Sequence, residues 1–329
     1  MITKNNYSEK YYNSELKEAL LKKCIVIKNN KINGKSFIHI ALSIDNSYIY
    51  PALVSMTSIM ENCNKNKTIV SFYILFEGKV NETNLYKLES IVTNYKENVE
   101  LYLYNMSNAF YSLKWYQSRT PLFYRLLLPN LLDFLDRVIH IDSDVLAFDD
   151  LYEMYTLPFK NNFILASRDT IQRGDDIDIF GINRDKYICA GIILYNLKKI
   201  RKQNKLKLAV QFLKTKTKYI SYYDQTVINF IFYPYIGKLP YKFAIINYEN
   251  EKNMREMYAP YNKSREDRLE LISALKKPSL VHYVLCLPKF WYNNSIRFMI
   301  NQPCEDTKIW YNYANKTNYY REIYNEYMK

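Results

Sequence analysis

The residues with the most chemistry in their spacing are Asp142 and Asp144, in the run Val138-Ile-His-Ile-Asp142-Ser143-Asp144-Val-Leu146. An apolar, β-branched segment leads straight into two acids one residue apart. In extended chain, residues two apart point to the same side, so both carboxylates can face one site. Held close, they repel each other unless a cation lies between them. A divalent metal resolves that repulsion and can in turn hold a diphosphate. In open α/β sheets, ligands collect outside the carboxyl ends of the strands, where this pair stands if 137–141 is a strand. The bland alternative is a solvated acidic turn. A second pair, Asp176-Ile-Asp178, follows no apolar strand and reads as surface.

Composition narrows how a phosphorylated ligand could be held. The chain has 329 residues and 6 glycines, where average usage would supply about 23. Neither a G-x-x-x-x-G-K-[ST] loop nor a G-x-G-x-x-G turn is present, so no glycine cradle surrounds a phosphate. With 46 Lys+Arg against 33 Asp+Glu the net charge is +13, which favours anionic partners such as a nucleotide diphosphate or a membrane surface. The excess of Tyr, Asn, Lys and Ile typical of AT-rich coding sequence raises the pI by itself. The basic residues are dispersed and form no recognition motif, so no nucleic-acid partner is expected. Cys24, Cys63, Cys189, Cys286 and Cys304 form no CxxC pair. Reduced thiols and a cytoplasmic or cytoplasm-facing location are expected, with no zinc ribbon. The first residues lack an apolar signal region, and no apolar run reaches about 18 residues.

Several elements must position the acids. Apolar or β-branched runs predict strands at 37–42, 68–76, 99–104, 137–141, 163–166, 187–194 and 279–283. Helical patterns fall at 48–60, after a cap at Asn81, in short leucine-rich pieces over 121–135, and at 205–213 and 224–232. This alternation predicts an α/β protein whose mostly parallel central sheet is flanked by helices. Residues 1–36 read as a polar N-terminal extension and 37–291 as one catalytic domain. Residues 292–329 read as an aromatic and basic helical tail, suited either to a membrane interface or to packing on the domain. Of three histidines, His39 and His140 lie inside apolar strands and read as core, which leaves His282.

Besides the acidic strand, four further segments stand in order. They are Ile38-His-Ile-Ala-Leu-Ser43-Ile-Asp45-Asn-Ser-Tyr48, Phe123-Tyr-Arg125-Leu, Tyr187-Ile-Cys189-Ala190-Gly191 through Asn196, and Leu280-Val-His282 through Lys289-Phe-Trp291. Asp224-Gln225 opens a later helix. Together these resemble the retaining glycosyltransferases of family 8, the group of glycogenin and bacterial lipooligosaccharide galactosyltransferases. The resemblance implies a GT-A type, Rossmann-like nucleotide-sugar-binding fold. It implies Asp142, Asp144 and His282 as metal ligands, and a nitrogen beside two carboxylates suits Mn2+ better than Mg2+, which also remains possible. It gives Asp45 to the base, with Tyr48 stacking on it, Ser43 to the donor, and Arg125 to the donor's phosphates or sugar. Ser143, Cys189, Ala190 and Gly191 would line the donor, Asp169 and Asp224 would meet sugar hydroxyls, Gln225 would lie beside the anomeric carbon, and Lys289 would meet the diphosphate.

This chain departs from the family pattern at several places. Cys189 stands for the Asn that contacts the donor sugar, Ser47 for Asn, Thr226 for Asp, Leu285 for Gly and Phe290 for Pro, with one residue inserted before Lys289. The implied activity is metal-dependent, retaining transfer of a hexose, glucose or galactose favoured, from a UDP-sugar to a hydroxyl of a glycan, protein or lipid-linked sugar. No carboxylate is placed as a double-displacement nucleophile, which favours front-face attack. Two other readings stand beside this one, the first on the same acids and the second on the basic, tyrosine-rich composition. One is a phosphatase of the haloacid dehalogenase type built on Asp142 and Asp144. The other is a non-catalytic nucleotide- or nucleic-acid-binding protein.

Overall fold

The structure is a computed structural model and describes residues 24–28, 35–78, 80–106, 109, 114–169, 175–246, 264–284 and 305–328. Strands β1 (Ile25–Lys28), β2 (Ser36–Ile44), β3 (Thr68–Phe76), β4 (Val99–Asn105), β5 (Arg137–Ile141), β7 (Ile164–Arg168), β8 (Ile188–Asn196) and β9 (Ile236–Lys238) form one sheet in the order β1-β4-β3-β2-β5-β8-β7-β9. From β4 to β5 all neighbours run parallel, and β8 then enters antiparallel between β5 and β7. This is the mixed, largely parallel α/β sheet that the alternation predicts. All nine residues of β3 are buried, as expected of a strand covered on both faces.

Helices cover both faces. On one, every residue of the helix Ile49–Asn62 from Ile49 to Met60 is buried, because this helix is itself covered. Its outer side meets the C-terminal helix Glu305–Ala314, whose Trp310 is 1% exposed and belongs to the same apolar cluster. Asn62 Nδ2 donates to Tyr313 Oη at 2.9 Å, and Tyr313 Oη donates to the Ala147 carbonyl at 3.1 Å. The described part of the tail is therefore packed on the domain. On the opposite face lie the segment Lys114–Leu127, the helix Lys205–Thr215 and the helix Tyr223–Phe232. No described helix is long and apolar enough to cross a membrane.

Three features refine or depart from the sequence expectation. Within the supposed polar extension, Ile25–Lys28 pairs antiparallel with β4 and becomes an edge strand. The leucine-rich region is a 3-10 segment, Lys114–Leu127, followed by one α-turn, Leu128–Leu131. Pro121 and Pro129 lack the N–H that a longer α-helix needs. Finally, β6 (Val145–Ala147), β10 (Ile245–Ile246) and β11 (Leu280–His282) form a separate three-stranded sheet, with β11 between the other two. Its register sets His282 opposite Val145, the residue after Asp144.

Candidate active site at the carboxyl end of β5

The acids stand where β5 ends and the chain turns into β6. Asp142 N donates to the Gly191 carbonyl of β8 at 2.9 Å, and Val145 N donates back to the Asp142 carbonyl at 3.2 Å. Tyr283 N donates to the Asp144 carbonyl at 3.0 Å, which fixes the end of β11 against the turn. Ser143 is buried between the two acids. One ligand atom from each of Asp142, Asp144 and His282 lies within 4.8 Å of the others. His282 Nε2 is 3.1 Å from Asp144 Oδ1 and 3.8 Å from Asp142 Oδ2. That nitrogen is buried and has no hydrogen-bond partner among the described residues.

A buried nitrogen without a hydrogen bond, facing two half-buried carboxylates, fits a divalent cation. The nitrogen and carboxylate donors suit Mn2+ or a similar metal. Without a cation, burial disfavours the imidazolium, but the Asp144 carboxylate outweighs this and holds His282 up to about 10. The ring is confined from β8. A Cβ at Gly191 would overlap the His282 ring, and Cys189 Sγ lies 3.7 Å from His282 Nδ1. Gly191 is thus glycine because another side chain occupies the space of its Cβ.

Behind the acids sits Arg125, 1% exposed. Its Nη2 donates to Asp142 Oδ1 at 2.6 Å, its Nε pairs with Asp224 Oδ2 at 3.1 Å and donates to the Leu122 carbonyl at 3.2 Å, and its Nη1 donates to the Ala190 carbonyl. Burial works against the guanidinium charge, but Asp142 and then Asp224 push its pKa above the ordinary arginine value. The fork that the family resemblance gives to the donor is engaged by protein groups on every arm. Here Arg125 is a strut joining β5, β8 and the helix Tyr223–Phe232. Burial pushes the Asp224 carboxyl up to about 6, against the pull of Arg125 and with a further push from Asp142.

The start of that helix brings the remaining candidates together. Gln225 Nε2 donates to Asp169 Oδ2 at 2.8 Å, and Gln225 Oε1 accepts from Ala190 N at 3.1 Å. One turn later Asn229 Nδ2 donates to the Ile188 carbonyl at 2.9 Å and Asn229 Oδ1 accepts from Ile188 N at 2.8 Å. The two amides at i and i+4 fasten the helix to β8. Asn229 was not among the residues singled out from sequence. Its signal was an amide inside an otherwise apolar helix, four residues after Gln225.

At the end of β2, Asp45 Oδ1 accepts from Ser47 N at 2.8 Å and from Ser47 Oγ at 2.6 Å, capping a short turn that carries Tyr48. Ser43 Oγ lies 3.2 Å from His140 Nε2. His140 is fully buried, and burial followed by Arg125 keeps its pKa well below the usual histidine value. It is the core histidine that the sequence predicts. Ser43 thus lies near the end of β2, a strand directly paired with β5, and Asp45 and Tyr48 follow it. The second acidic pair lies on a short helix, Asp175–Ile179, where the Asp178 side chain is 76% exposed. Lys289, Leu285 and Trp291 lie outside the described residues.

Residues 39–295 match the sequence profile of Glycosyl transferase family 8. A putative glycosyltransferase of Haemophilus influenzae is 25% identical over 78% of this chain and 73% of its own length. A lipopolysaccharide 1,2-glucosyltransferase of Escherichia coli is 25% identical over 90% of this chain and 80% of its own. Among solved structures, the apo WbbM bifunctional glycosyltransferase superposes with a TM-score of 0.71 at 23% identity, covering 92% of this chain and 53% of that one. The galactosyltransferase LgtC, solved with donor and acceptor sugar analogs, gives 0.66 at 18% identity, covering 85% of this chain and 96% of that one. These likenesses establish the GT-A fold, and neither the phosphatase nor the non-catalytic alternative finds support in them. With its profile match spanning most of the sequence, the chain belongs to glycosyl transferase family 8 and is a glycosyltransferase.

Proposed function

We propose that the protein moves a hexose from a UDP-sugar to an acceptor hydroxyl with retention of configuration, using a divalent cation, best Mn2+. The observation that carries this reading is the clustering of Asp142, Asp144 and the buried Nε2 of His282, which faces both carboxylates. These three residues would hold the metal, which supplies charge neutralisation for the departing diphosphate. Lys289 would add to that charge. Asp45 and Tyr48 would receive the base, while Ser43, Ser143, Ala190 and Gly191 line the donor. The name of the E. coli relative favours glucose as the sugar and a lipid-linked glycan as the acceptor, and such an acceptor fits a protein working at the cytoplasmic face of a membrane.

The other residues of the site orient and exclude. Arg125 holds the Asp142 carboxylate in place through the contact of its Nη2 with Oδ1. Asp169 and the Ala190 amide hold both ends of the Gln225 amide group, so its dipole is fixed before substrate arrives. A preorganised dipole is worth more than a mobile one where charge develops. We assign Gln225 to the cationic anomeric carbon and Asp224 and Asp169 to the sugar hydroxyls. Front-face attack then lets the leaving phosphate oxygen help take the acceptor proton.

The direct test is a panel of UDP-sugars incubated with the full chain and Mn2+, read as UDP release. One UDP-hexose should release UDP with Mn2+ and none with EDTA, and Asp142→Asn should abolish the metal-dependent release. Release that survives EDTA would overturn the metal reading.

A further inference from the structure

The ring of His282 is held by two residues of β8 that alternate with one pointing away. Cys189 and Gly191 are two apart, so they face the same side of the strand, and both meet this ring. Ala190, between them, belongs to the apolar cluster on the opposite face. The two contacts do different things. Gly191 makes room for the ring, and Cys189 presents Sγ to Nδ1 at 3.7 Å with both side chains buried.

We propose that Cys189 is a positioning residue for the metal site, whose sulfur accepts the Nδ1–H of His282 and so leaves the Nε2 lone pair for the cation. The proposal rests on the metal reading above. A histidine that binds metal through one nitrogen needs an acceptor at the other, which sets its tautomer and ring angle. A carboxylate, a carbonyl or water usually fills that place. In this chain the only group within hydrogen-bond distance of Nδ1 among the described residues is the Cys189 sulfur. Nε2 is correspondingly buried without a hydrogen bond, on the side of Asp144 and Asp142. The thiol that replaces an amide in the family pattern is thereby given a role on the metal side of the site, where the family residue serves the donor sugar.

Mn2+ binding to the full chain, followed by loss of the free-ion EPR signal, tests this without turnover. Cys189→Ala and the volume-conserving Cys189→Val should each weaken Mn2+ binding by about 10–100-fold, the range for lost outer partners of metal ligands. Cys189→Ser, which keeps an acceptor, should bind nearly as the wild type does. UDP release by the alanine and valine variants should recover as Mn2+ is raised to saturation. If the wild type binds Mn2+ and both apolar variants bind it equally well, the proposal fails and the metal reading stands. If the wild type binds no Mn2+, both fall. A deficit that persists at saturating Mn2+ with unchanged metal affinity also overturns it, since that is the signature of a donor-sugar contact. Should the alanine variant not fold, the valine variant decides.

Discussion

Arg125 Nη2 and Asp142 Oδ1 meet at 2.6 Å, and the arginine is 1% exposed. The carboxylate proposed as a metal ligand is thus braced from behind by a buried cation, which a further acid, Asp224, shares from the helix Tyr223–Phe232. Removing one partner of such a pair leaves an uncompensated charge in the interior. Arg125→Met should therefore lower stability by roughly 3–5 kcal/mol. Denaturant unfolding measures it, and a wild-type midpoint would show that the pair does not brace the site. Arg125→Lys should recover little of the loss, because an ammonium cannot span Asp142, Asp224 and two carbonyls at once.

Asp224 gives a pH test of the same brace. Its ordinary value is 3.8 and burial raises it to about 6 in the folded chain. The folded state therefore holds this proton more tightly than the unfolded state does, and stability falls as pH rises from about 4 to about 6. Above that window the contribution is constant. The difference in unfolding free energy between wild type and Asp224→Asn, measured across pH, should change in favour of the variant over this interval. A flat difference between pH 4 and 6 would show that Asp224 titrates normally.

Much of this was legible in the sequence, and what was not has a common cause. The runs Thr68–Phe76 and Arg137–Ile141 are strands at the predicted boundaries, because continuous β-branched and apolar residues can only be buried there. Asn81 caps its helix as predicted, accepting from Asn84 N at 2.7 Å. By contrast β1, β6 and β10 have two to four residues each, too few to show a period, and their existence depends on partners far along the chain. The same holds within the site. Asp142-Ser-Asp144 is a local pattern, whereas Arg125 reaches Asp142 and Ala190, 17 and 65 residues away, and also Asp224, and Cys189 and His282 are 93 apart. Spacing alone cannot show that this arginine contacts protein groups through all three of its guanidinium nitrogens.

Gly191→Ala should disturb the proposed metal site before it disturbs the fold. The added Cβ would occupy the place of the His282 ring, so the ring must move away from Asp142 and Asp144. Overpacking of this kind costs about 1–3 kcal/mol. Thermal unfolding should show that modest loss, together with a drop in Mn2+ affinity. A variant with undiminished affinity would show that the ring has slack.

Trp310 tests whether the tail is part of the domain. Its side chain lies in the cluster that includes the helix Ile49–Asn62 and strand β6. Trp310→Ala should cost roughly 3–5 kcal/mol, read from the denaturation midpoint. An unchanged midpoint would detach the tail from the core.

Gln225 and Asn229 lie one helical turn apart and are both tied to β8, yet their substitutions should separate. Asn229 is 0% exposed and bonds both backbone groups of Ile188. Asn229→Ala leaves that donor and acceptor unpaired, which costs about 1–3 kcal/mol for each buried group, and the loss appears in unfolding. Gln225 links the Ala190 amide to Asp169 in a less enclosed place. The helix stays fastened by Asn229 when Gln225 is truncated, so Gln225→Ala should unfold near the wild-type midpoint. Its effect should fall on turnover: removing a preorganised dipole from a developing charge typically costs about 100- to 1,000-fold in kcat. Steady-state UDP release at saturating donor and Mn2+ distinguishes the two roles. Equal losses of stability in both variants, with kcat intact in Gln225→Ala, would make Gln225 a second fastener and leave the anomeric carbon without its assigned dipole.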